Sequence, residues 1–223
     1  ILSGLVGSEM CIRDRVARGG RILCPSYFRI PSDRPAPFLL PPDLPLSHGI
    51  GAVSLSGITA LIGVRDIGLV KATDRILVSG AAGGVGSHVA EIAKALGAQS
   101  VVGIAGGPEK CGRLTTEMGY DRVIDYKNDN VDAALDDAFP EGIDLYFDNV
   151  GGEHLEAALG HMKRLGRIAL CGAISQYNLT APAPGPRNLA VAIGSGLNLK
   201  GFIVGMFPEL REPFQEEMTN WLE

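Results

Sequence analysis

One short stretch, residues 79–97, constrains the fold more than any other part of the chain. It reads SGAAGGVGSHVAEIAKALG, in which eight residues with almost no side-chain chemistry precede an amphipathic helical pattern. A short apolar run at residues 76–80, typical of a buried strand, leads directly into it. A strand, a glycine-rich turn and a helix in this order predict the start of a βαβ unit.

The sequence beyond this turn alternates between strand and helix patterns. Further short apolar runs, each suited to a strand buried on both faces, lie at residues 100–105, 122–126, 143–150 and 166–173. Helical patterns occupy residues 85–96, 108–118, 131–138 and 153–163, and we expect Gly97, Gly119 and Gly166 to end helices. This alternation predicts an α/β fold, a doubly wound parallel sheet of the Rossmann type.

Composition excludes several classes of protein. The 223 residues carry a net charge of −5 with scattered Lys and Arg, which argues against a nucleic-acid or membrane-surface partner. No apolar run approaches the length of a membrane span. Cys11, Cys24, Cys111 and Cys171 fall in no metal-ligand spacing, so we predict free thiols, a cytoplasmic location and no metal site.

The two ends of the chain differ from its middle. Residues 1–15 resemble translated sequencing-adapter read-through, and we interpret them as a non-native artefact. Residues 16–47 are rich in proline, which excludes helix interiors and central strands, so we expect an extended linker or domain edge. The last stretch, FPELREPFQEEMTNWLE, has a helical pattern. Regular patterns begin at about residue 48, and we predict one domain over residues 48–223.

The glycine turn matches the dinucleotide fingerprint with its first glycine replaced, as Ala81-x-Gly83-x-x-Gly86. In that motif Gly83 lets the backbone approach a pyrophosphate, and Gly86 lets the helix pack tightly on the strand. The N–H groups at the start of the helix would bind the anion. Ser87, rather than lysine, follows Gly86, which excludes a Walker loop. The alternative is a tight strand–helix turn without a ligand.

The end of the second predicted strand favours NADP over NAD. An NAD site places a carboxylate there for the ribose 2′-hydroxyl, whereas residues 105–107 read Ala-Gly-Gly. Lys110, one turn into the next helix, could pair with a 2′-phosphate, and Tyr126, after the third strand, could donate a hydroxyl. The alternative for Lys110 is a solvated helix lysine beside Glu109.

Several motifs together resemble one family. SGAAGGVGS, GGPEKC, DYK, YFDNVGG, GRIALCGAISQYN and GFIV occur in an order similar to that of the zinc-free medium-chain dehydrogenases/reductases. These are typified by prostaglandin reductases and NADP-dependent alkenal double-bond reductases. The likeness spans about residues 48–206 and is more specific than any single glycine pattern.

The resemblance implies a set of cofactor contacts for NADP(H). The loop over the nicotinamide would fix the carboxamide through backbone groups, and the strand at residues 202–204 would close the pocket and contribute to a homodimer interface. The matching positions are Gly84, Val85, Gly86, Ser87, Lys110, Tyr126, Asn149, Cys171, Gly172, Ala173, Ile174, Ser175, Tyr177, Phe202, Ile203 and Val204.

The implied chemistry is hydride transfer from NADPH to the β-carbon of a small α,β-unsaturated ketone or aldehyde. Tyr177 matches a tyrosine that hydrogen-bonds the substrate oxygen, a role that needs no zinc. The alternative for Tyr177 is a loop residue packing on the rim of the nucleotide site. We expect the loop at residues 180–188 to cover the substrate pocket.

Departures from the family and rival classes bear on activity. The resemblance leads us to expect only a truncated remnant of the N-terminal GroES-like catalytic domain, residues 16–47, and a cofactor domain that lacks the family's last strand, so we expect that this fragment could be inactive. A non-catalytic NADPH sensor and another medium-chain quinone or alcohol oxidoreductase stay open. The short-chain class fails because no tyrosine is followed four residues later by lysine, and a methyltransferase would need an acid after the second strand.

Overall fold

The computed structural model describes residues 10–11, 29–30, 45–49, 51–181 and 183–222. The predicted artefact at residues 1–15 and the proline-rich remnant at residues 16–47 therefore lie almost entirely outside the described residues. What is described there is an antiparallel pair of two-residue strands, β1 (Met10–Cys11) and β2 (Arg29–Ile30), and a 3₁₀ turn at Leu46–Gly49.

The chain divides into two units by its internal contacts, Ile1–Ile58 with Glu209–Glu223, and Thr59–Pro208. The first unit contains the C-terminal helix, which the sequence predicted. The second unit contains a six-stranded sheet, and all of its neighbouring strands are parallel. Its strands are β3 (Arg75–Val78), β4 (Ser100–Ala105), β5 (Arg122–Asp125), β6 (Ile143–Asp148), β7 (Met162–Leu170) and β8 (Asn198–Gly201).

The strand order is β5-β4-β3-β6-β7-β8, so the direction of winding reverses between β3 and β6. This order confirms the predicted doubly wound Rossmann-type sheet. The helices are α1 (Leu55–Ile62), α2 (Gly86–Ala95), α3 (Pro108–Glu117), α4 (Val131–Ala138), α5 (Gly152–His161), α6 (Val191–Ser195) and α7 (Arg211–Leu222). A π-helical turn, Gly63–Ile67, follows α1. In the described part of the chain, no helix has the length and apolarity needed to span a membrane.

The sheet core explains why its strands read as unbroken apolar runs. Ile76, Leu77 and Val78 of β3 are all fully buried, which requires cover on both faces of the strand. Gly97 and Gly119 follow α2 and α3 with φ angles of +95° and +69°, which confirms both as helix stops. A buried apolar cluster joins the sheet to the helices, formed by Leu77, Val102, Ile104, Ile124, Leu135, Phe139, Ile143, Tyr146, Ala158, Leu159, Met162 and Ile168.

Two predictions of local structure are wrong. Helix α5 ends at His161, and Gly166 lies buried inside β7, not at a helix end. A Cβ atom at Gly166 would lie 2.6 Å from the Met162 Cε and 2.9 Å from the Lys163 carbonyl oxygen, so packing explains the glycine. The segment predicted as a strand at residues 202–204 lies after the strand β8, which ends at Gly201, and Val204 begins a 3₁₀ turn.

A buried ion pair joins β7 to the turn that precedes β3. The Arg167 Nη2 lies 2.7 Å from the Asp74 Oδ2, and the two side chains are 12% and 3% exposed. The Arg167 Nη1 also donates to the Leu69 carbonyl oxygen, at 2.6 Å. Removing Arg167 would leave the buried Asp74 carboxylate with the Lys71 N–H, at 2.7 Å, as its remaining side-chain partner, which is more costly than losing an exposed pair.

We expect Arg167→Met to lower the free energy of unfolding by about 3–5 kcal/mol. The matched control is Lys94→Met, which removes an exposed pair between Lys94 Nζ and Asp121 Oδ1 of 2.6 Å and should cost less than about 1 kcal/mol. Urea denaturation of both variants measures the difference. Equal losses would contradict a stabilising role for the Asp74 pair.

Candidate functional site

The predicted site residues gather where the sheet changes its winding direction. The carboxyl ends of β3 and β6 are neighbours there, and the chain leaves them into the glycine turn and into residues 149–151. Open α/β sheets bind ligands in the crevice at this point, outside the carboxyl ends of the strands. The loops after β4 and β7 adjoin the same edge.

The glycine turn depends on two close backbone approaches. Gly80 has a φ of +58°, a left-handed conformation that favours glycine. A Cβ atom at Gly86, the first residue of α2, would lie 2.4 Å from the Gly80 carbonyl oxygen and 2.8 Å from the Ala81 Cα. The helix therefore packs directly on the turn, as predicted for Gly86. Gly80 precedes the first fingerprint position and was not predicted as part of the site.

Alanine at the first fingerprint position is accommodated by the neighbouring strand. Ala81 is fully buried, and its N–H donates to the Ile104 carbonyl oxygen at 3.1 Å. A Cβ atom at Gly103 of β4 would lie 2.9 Å from the Ala81 Cβ. The missing side chain on β4 therefore makes room for the methyl group of Ala81.

The start of α2 presents unpaired N–H groups. Gly83 and Gly84 are exposed, and in the described part of the chain the N–H groups of Gly84 and Val85 donate no hydrogen bond. The Ser87 N–H donates to the Gly83 carbonyl oxygen at 2.9 Å, and the Ser87 Oγ donates to that of Gly84 at 3.2 Å. Two free donors at a helix N-terminus form an anion site suited to a diphosphate.

Tyr126, which follows the third strand of the sheet in sequence, lies beside the end of β4. Its N–H donates to the Ala105 carbonyl oxygen at 3.1 Å, and a Cβ atom at Gly106 would lie 2.7 Å from its ring. The ring also makes an edge contact with His154, with centroids 5.1 Å apart. Lys110 is exposed on the first turn of α3 and makes no ion pair with any described residue. Its ammonium is thus available to a ligand.

A carboxylate lies at this strand end, contrary to the interpretation of residues 105–107. Asp125, from the adjacent strand β5, accepts a hydrogen bond from the Gly107 N–H at 2.8 Å and another from the Lys127 N–H at 3.1 Å. These contacts, the one from Gly107 above all, hold the pKa of Asp125 below its ordinary value. The sequence could not reveal this because strand pairing, not chain order, brings Asp125 to Gly107. The carboxylate orders the turn before α3.

Asn149 presents one defined group to the crevice. Its Nδ2 donates to the Ser79 carbonyl oxygen at 2.8 Å, and its main-chain N–H donates to the Ser79 Oγ at 3.0 Å. Because a carbonyl oxygen can only accept, the amide orientation is fixed. The Asn149 Oδ1 accepts no hydrogen bond from the described residues and is left as an acceptor for a ligand hydroxyl.

The loop at residues 171–177 is held by its own backbone N–H groups. Those of Cys171 and Gly172 donate to the Asp148 carbonyl oxygen at 2.8 and 3.0 Å, and that of Ala173 donates to the Tyr177 hydroxyl at 3.2 Å. The remaining donors, Ile174, Ser175, Gln176 and Tyr177, also bond to carbonyl oxygens of the described chain. Because the N–H groups of the loop are already engaged, a nicotinamide carboxamide would donate hydrogen bonds to the carbonyl oxygens of this loop.

Tyr177 is 67% exposed at the end of this loop. Its hydroxyl oxygen accepts from the Ala173 N–H, so the hydroxyl proton is free to be donated outward. This arrangement fits a hydrogen-bond donor to a substrate oxygen. The same hydrogen bond holds the Tyr177 ring against the loop, which also fits the alternative that Tyr177 only packs on the rim of the nucleotide site.

The segment at residues 202–204, predicted to close the nicotinamide pocket, adjoins the loop at residues 171–177. The Phe202 N–H donates to the Leu170 carbonyl oxygen at 3.2 Å, immediately before Cys171. The Phe202 ring is buried against Phe147, with centroids 6.3 Å apart, whereas Ile203 is 67% exposed. Val204 lies in the 3₁₀ turn that follows.

Cys171 is a free, half-buried thiol in the predicted nicotinamide loop. Burial, and secondly the negative charge of Asp148, raise the pKa of the Cys171 thiol to about 12. The thiol therefore stays protonated at neutral pH and is not a nucleophile. Within the described ranges, no three His, Cys, Asp or Glu side chains are grouped as a metal site would require.

The chain matches the zinc-binding dehydrogenase family over residues 84–223, and it belongs to that family. Among curated proteins it is 46% identical over 184 residues to prostaglandin reductase 1 of Mus musculus, covering 82% of this chain and 55% of that protein. It is 45% identical over 185 residues to prostaglandin reductase 1 of Bos taurus, with the same coverage of 82% and 55%. The resemblance to prostaglandin reductases is thereby confirmed.

A solved structure agrees with this assignment. CurA from Vibrio vulnificus, in complex with NADPH, superposes with a TM-score of 0.77 at 34% identity, covering 88% of this chain and 59% of that chain. The chain spans little more than half the length of the curated relatives it matches.

We expect Cys171 to resist alkylation in the folded protein. With a pKa of about 12, its thiolate fraction at pH 8 is roughly 1,000-fold below that of an ordinary thiol. Iodoacetamide labelling at pH 8, followed by peptide mass spectrometry, measures its rate before and after unfolding in urea. Labelling in the folded protein as fast as in urea would contradict this environment for Cys171.

Proposed function

We propose that this chain is the NADP(H)-binding part of an oxidoreductase that reduces the carbon–carbon double bond of α,β-unsaturated ketones or aldehydes. The observation that carries the proposal is the pair of free N–H groups at Gly84 and Val85, together with unpaired Lys110 and with Tyr126 at the next strand end. The NADPH in the similar Vibrio structure supports the same cofactor.

The cofactor would be held at three places along the sheet edge. The start of α2, with Gly83, Gly86 and Ser87, would hold the diphosphate through the N–H groups of Gly84 and Val85. Lys110 and Tyr126 would bind the 2′-phosphate, because an ammonium and a phenol supply a charge and a donor. Asn149 would accept from a ribose hydroxyl, and Gly172 with its neighbours in the 171–177 loop would accept from the carboxamide.

Bound NADPH would supply a hydride to the β-carbon of the substrate. Negative charge then develops on the substrate carbonyl oxygen, where a preorganised donor lowers the barrier. Tyr177 would act as that donor, because its oxygen already accepts from Ala173 and its proton is free. Phe202, Ile203 and Val204 would close the other side of the nicotinamide pocket.

We also propose the wider organisation of the protein. Residues 16–47 would be a remnant of the N-terminal catalytic domain, residues 48–223 the cofactor domain, and residues 1–15 non-native sequence. A homodimer of the complete protein would form near residues 202–204, which is supported by the position of β8 at the sheet edge and by exposed Ile203. The free thiols of Cys111 and Cys171 favour the cytoplasm.

Lys110→Ala should selectively weaken NADPH binding. Loss of one charge-assisted contact to the 2′-phosphate should raise the Kd for NADPH about tenfold and leave that for NADH within about twofold. Fluorescence titration with each nucleotide gives the ratio. The control is Lys71→Ala, an exposed lysine before the amino end of β3. If the ratio of the Kd values for NADPH and NADH is unchanged in the Lys110 variant, Lys110 does not contact the 2′-phosphate.

Tyr177→Phe should lower kcat for enone reduction about 100-fold, because one hydrogen bond to the developing oxyanion is lost. The measurement is NADPH consumption with an enone, in the chain extended to the length of its curated relatives. The Kd for NADPH, measured alongside, should change far less than kcat, since the variant removes the donor to substrate and, on the cofactor side, only the acceptor for the Ala173 N–H. Full turnover by the variant would contradict the role of Tyr177. Absence of turnover in the extended wild-type protein that binds NADPH would instead favour a sensor.

A further inference from the structure

A buried carboxylate occupies the point where the winding of the sheet reverses. Asp148 ends β6 and is 1% exposed. Its Oδ1 accepts four hydrogen bonds, from the Ser79 Oγ at 2.8 Å, the Tyr146 hydroxyl at 2.7 Å, the Val150 N–H at 3.0 Å and the Gly151 N–H at 2.9 Å. Its Oδ2 is also buried and has no partner in the described part of the chain. All hydrogen bonding by this side chain is therefore directed through one oxygen.

The residues around Asp148 connect three strand ends. Ser79 follows β3, the Val150–Gly151 turn follows β6, and the Asp148 carbonyl oxygen accepts from Cys171 and Gly172 after β7. Burying a carboxylate is costly unless several donors compensate for lost water. The cost of burying the Asp148 carboxylate therefore favours the one arrangement in which Ser79 and the Val150–Gly151 turn donate to it.

Two hydrogen bonds connect Asn149 to Asp148 through the Ser79 hydroxyl, and both are donated in the same direction, from Asn149 to Ser79 and from Ser79 to Asp148. A carboxylate accepts, so the single hydroxyl proton of Ser79 is committed to Asp148. The Ser79 Oγ is then an acceptor, and it receives the Asn149 main-chain N–H at 3.0 Å. The Ser79 carbonyl oxygen receives the Asn149 Nδ2 at 2.8 Å. The bond to the Ser79 carbonyl oxygen turns the amide so that the Asn149 Oδ1 is unpaired, and the bond to the Ser79 Oγ fixes the main chain from which that amide projects.

We propose that Asp148 and Ser79 form a positioning relay that holds the Asn149 Oδ1 as an acceptor for a ribose hydroxyl in the nicotinamide half of the cofactor. Neither residue touches the reacting atoms. The relay rests on the proposed function, because it presumes that a nicotinamide dinucleotide occupies the crevice. It predicts that losing the Ser79 hydroxyl harms the nicotinamide half of the site and spares the adenosine half.

Tyr146 provides a matched control for Ser79. Both side chains are fully buried, and both donate one hydroxyl to the same oxygen of Asp148. Burial, and secondly the charge of Asp148, raise the pKa of Tyr146 above its ordinary value, so its hydroxyl remains a donor. Asn149 bonds to Ser79 and makes no hydrogen bond with Tyr146. Tyr146 also adjoins Ser79. Tyr146→Phe therefore removes a comparable bond to Asp148 but keeps the Ser79 hydroxyl and both of the bonds that Ser79 accepts from Asn149.

The experiment compares Ser79→Ala and Tyr146→Phe with the wild-type chain. NADPH probes the whole site, and 2′,5′-ADP probes the adenosine half alone, each by titration, with urea unfolding measured on the same samples. We expect Ser79→Ala to raise the Kd for NADPH about tenfold and to leave that for 2′,5′-ADP within about twofold. Tyr146→Phe should leave both Kd values within about twofold, although both variants lower stability.

The possible failures are distinguishable. Equal changes of the NADPH Kd in the two variants, or no change in either, would overturn the relay while the proposed function stands. A parallel loss of 2′,5′-ADP affinity in Ser79→Ala would show that Ser79 only stabilises the fold, and would also overturn the relay. If the folded wild-type chain binds neither nucleotide, the proposed function fails, and the relay fails with it.

Discussion

The approach of α2 to the end of β3 is the constraint on which the other features of the site depend. Gly80 turns the chain in a left-handed conformation, and Gly86 begins the helix where any Cβ atom would collide with the Gly80 carbonyl oxygen. The Tyr120 hydroxyl donates to the Gly86 carbonyl oxygen at 2.5 Å and holds the helix start from the side of β5. This close packing leaves the Gly84 and Val85 N–H groups facing outward. An anion site at the sheet edge follows from backbone geometry.

The second constraint is electrostatic. A parallel sheet brings the carboxyl ends of its strands to one edge, and here two carboxylates order that edge. The Asp125 carboxylate fixes the turn before α3 through the Gly107 N–H, and the Asp148 carboxylate fixes the segments after β3 and β6. The main-chain carbonyl oxygen of Asp148 holds the segment after β7. Both carboxylates accept hydrogen bonds from backbone N–H groups that no regular secondary structure would satisfy. Loops that would contact a ligand are thereby held before the ligand arrives.

The sequence predicted the central sheet well because strands buried on both faces consist of short apolar runs without alternation. It missed β8, an edge strand whose exposed residues break that pattern, and it misplaced the start of β7, where exposed Leu165 adopts a φ of +62°. The glycine turn was also predictable, since it follows from a local motif, whereas the contact of Tyr126 with the end of β4 depends on the pairing of β4 with β5. Asp125, Ser79 and Asp148 were not predictable, because strand pairing brings them to their partners. A polar residue ending an apolar run, as at Ser79 and Asp148, was the available signal.

We propose that this edge of the sheet binds NADPH through its 2′-phosphate. The most direct test is fluorescence titration of the wild-type chain with NADPH and, separately, NADH. We expect saturable NADPH binding with a Kd at least about tenfold below that for NADH, which corresponds to one charge-assisted contact. Equal affinity for the two nucleotides in a folded sample would contradict the assignment of Lys110 and Tyr126 to the 2′-phosphate.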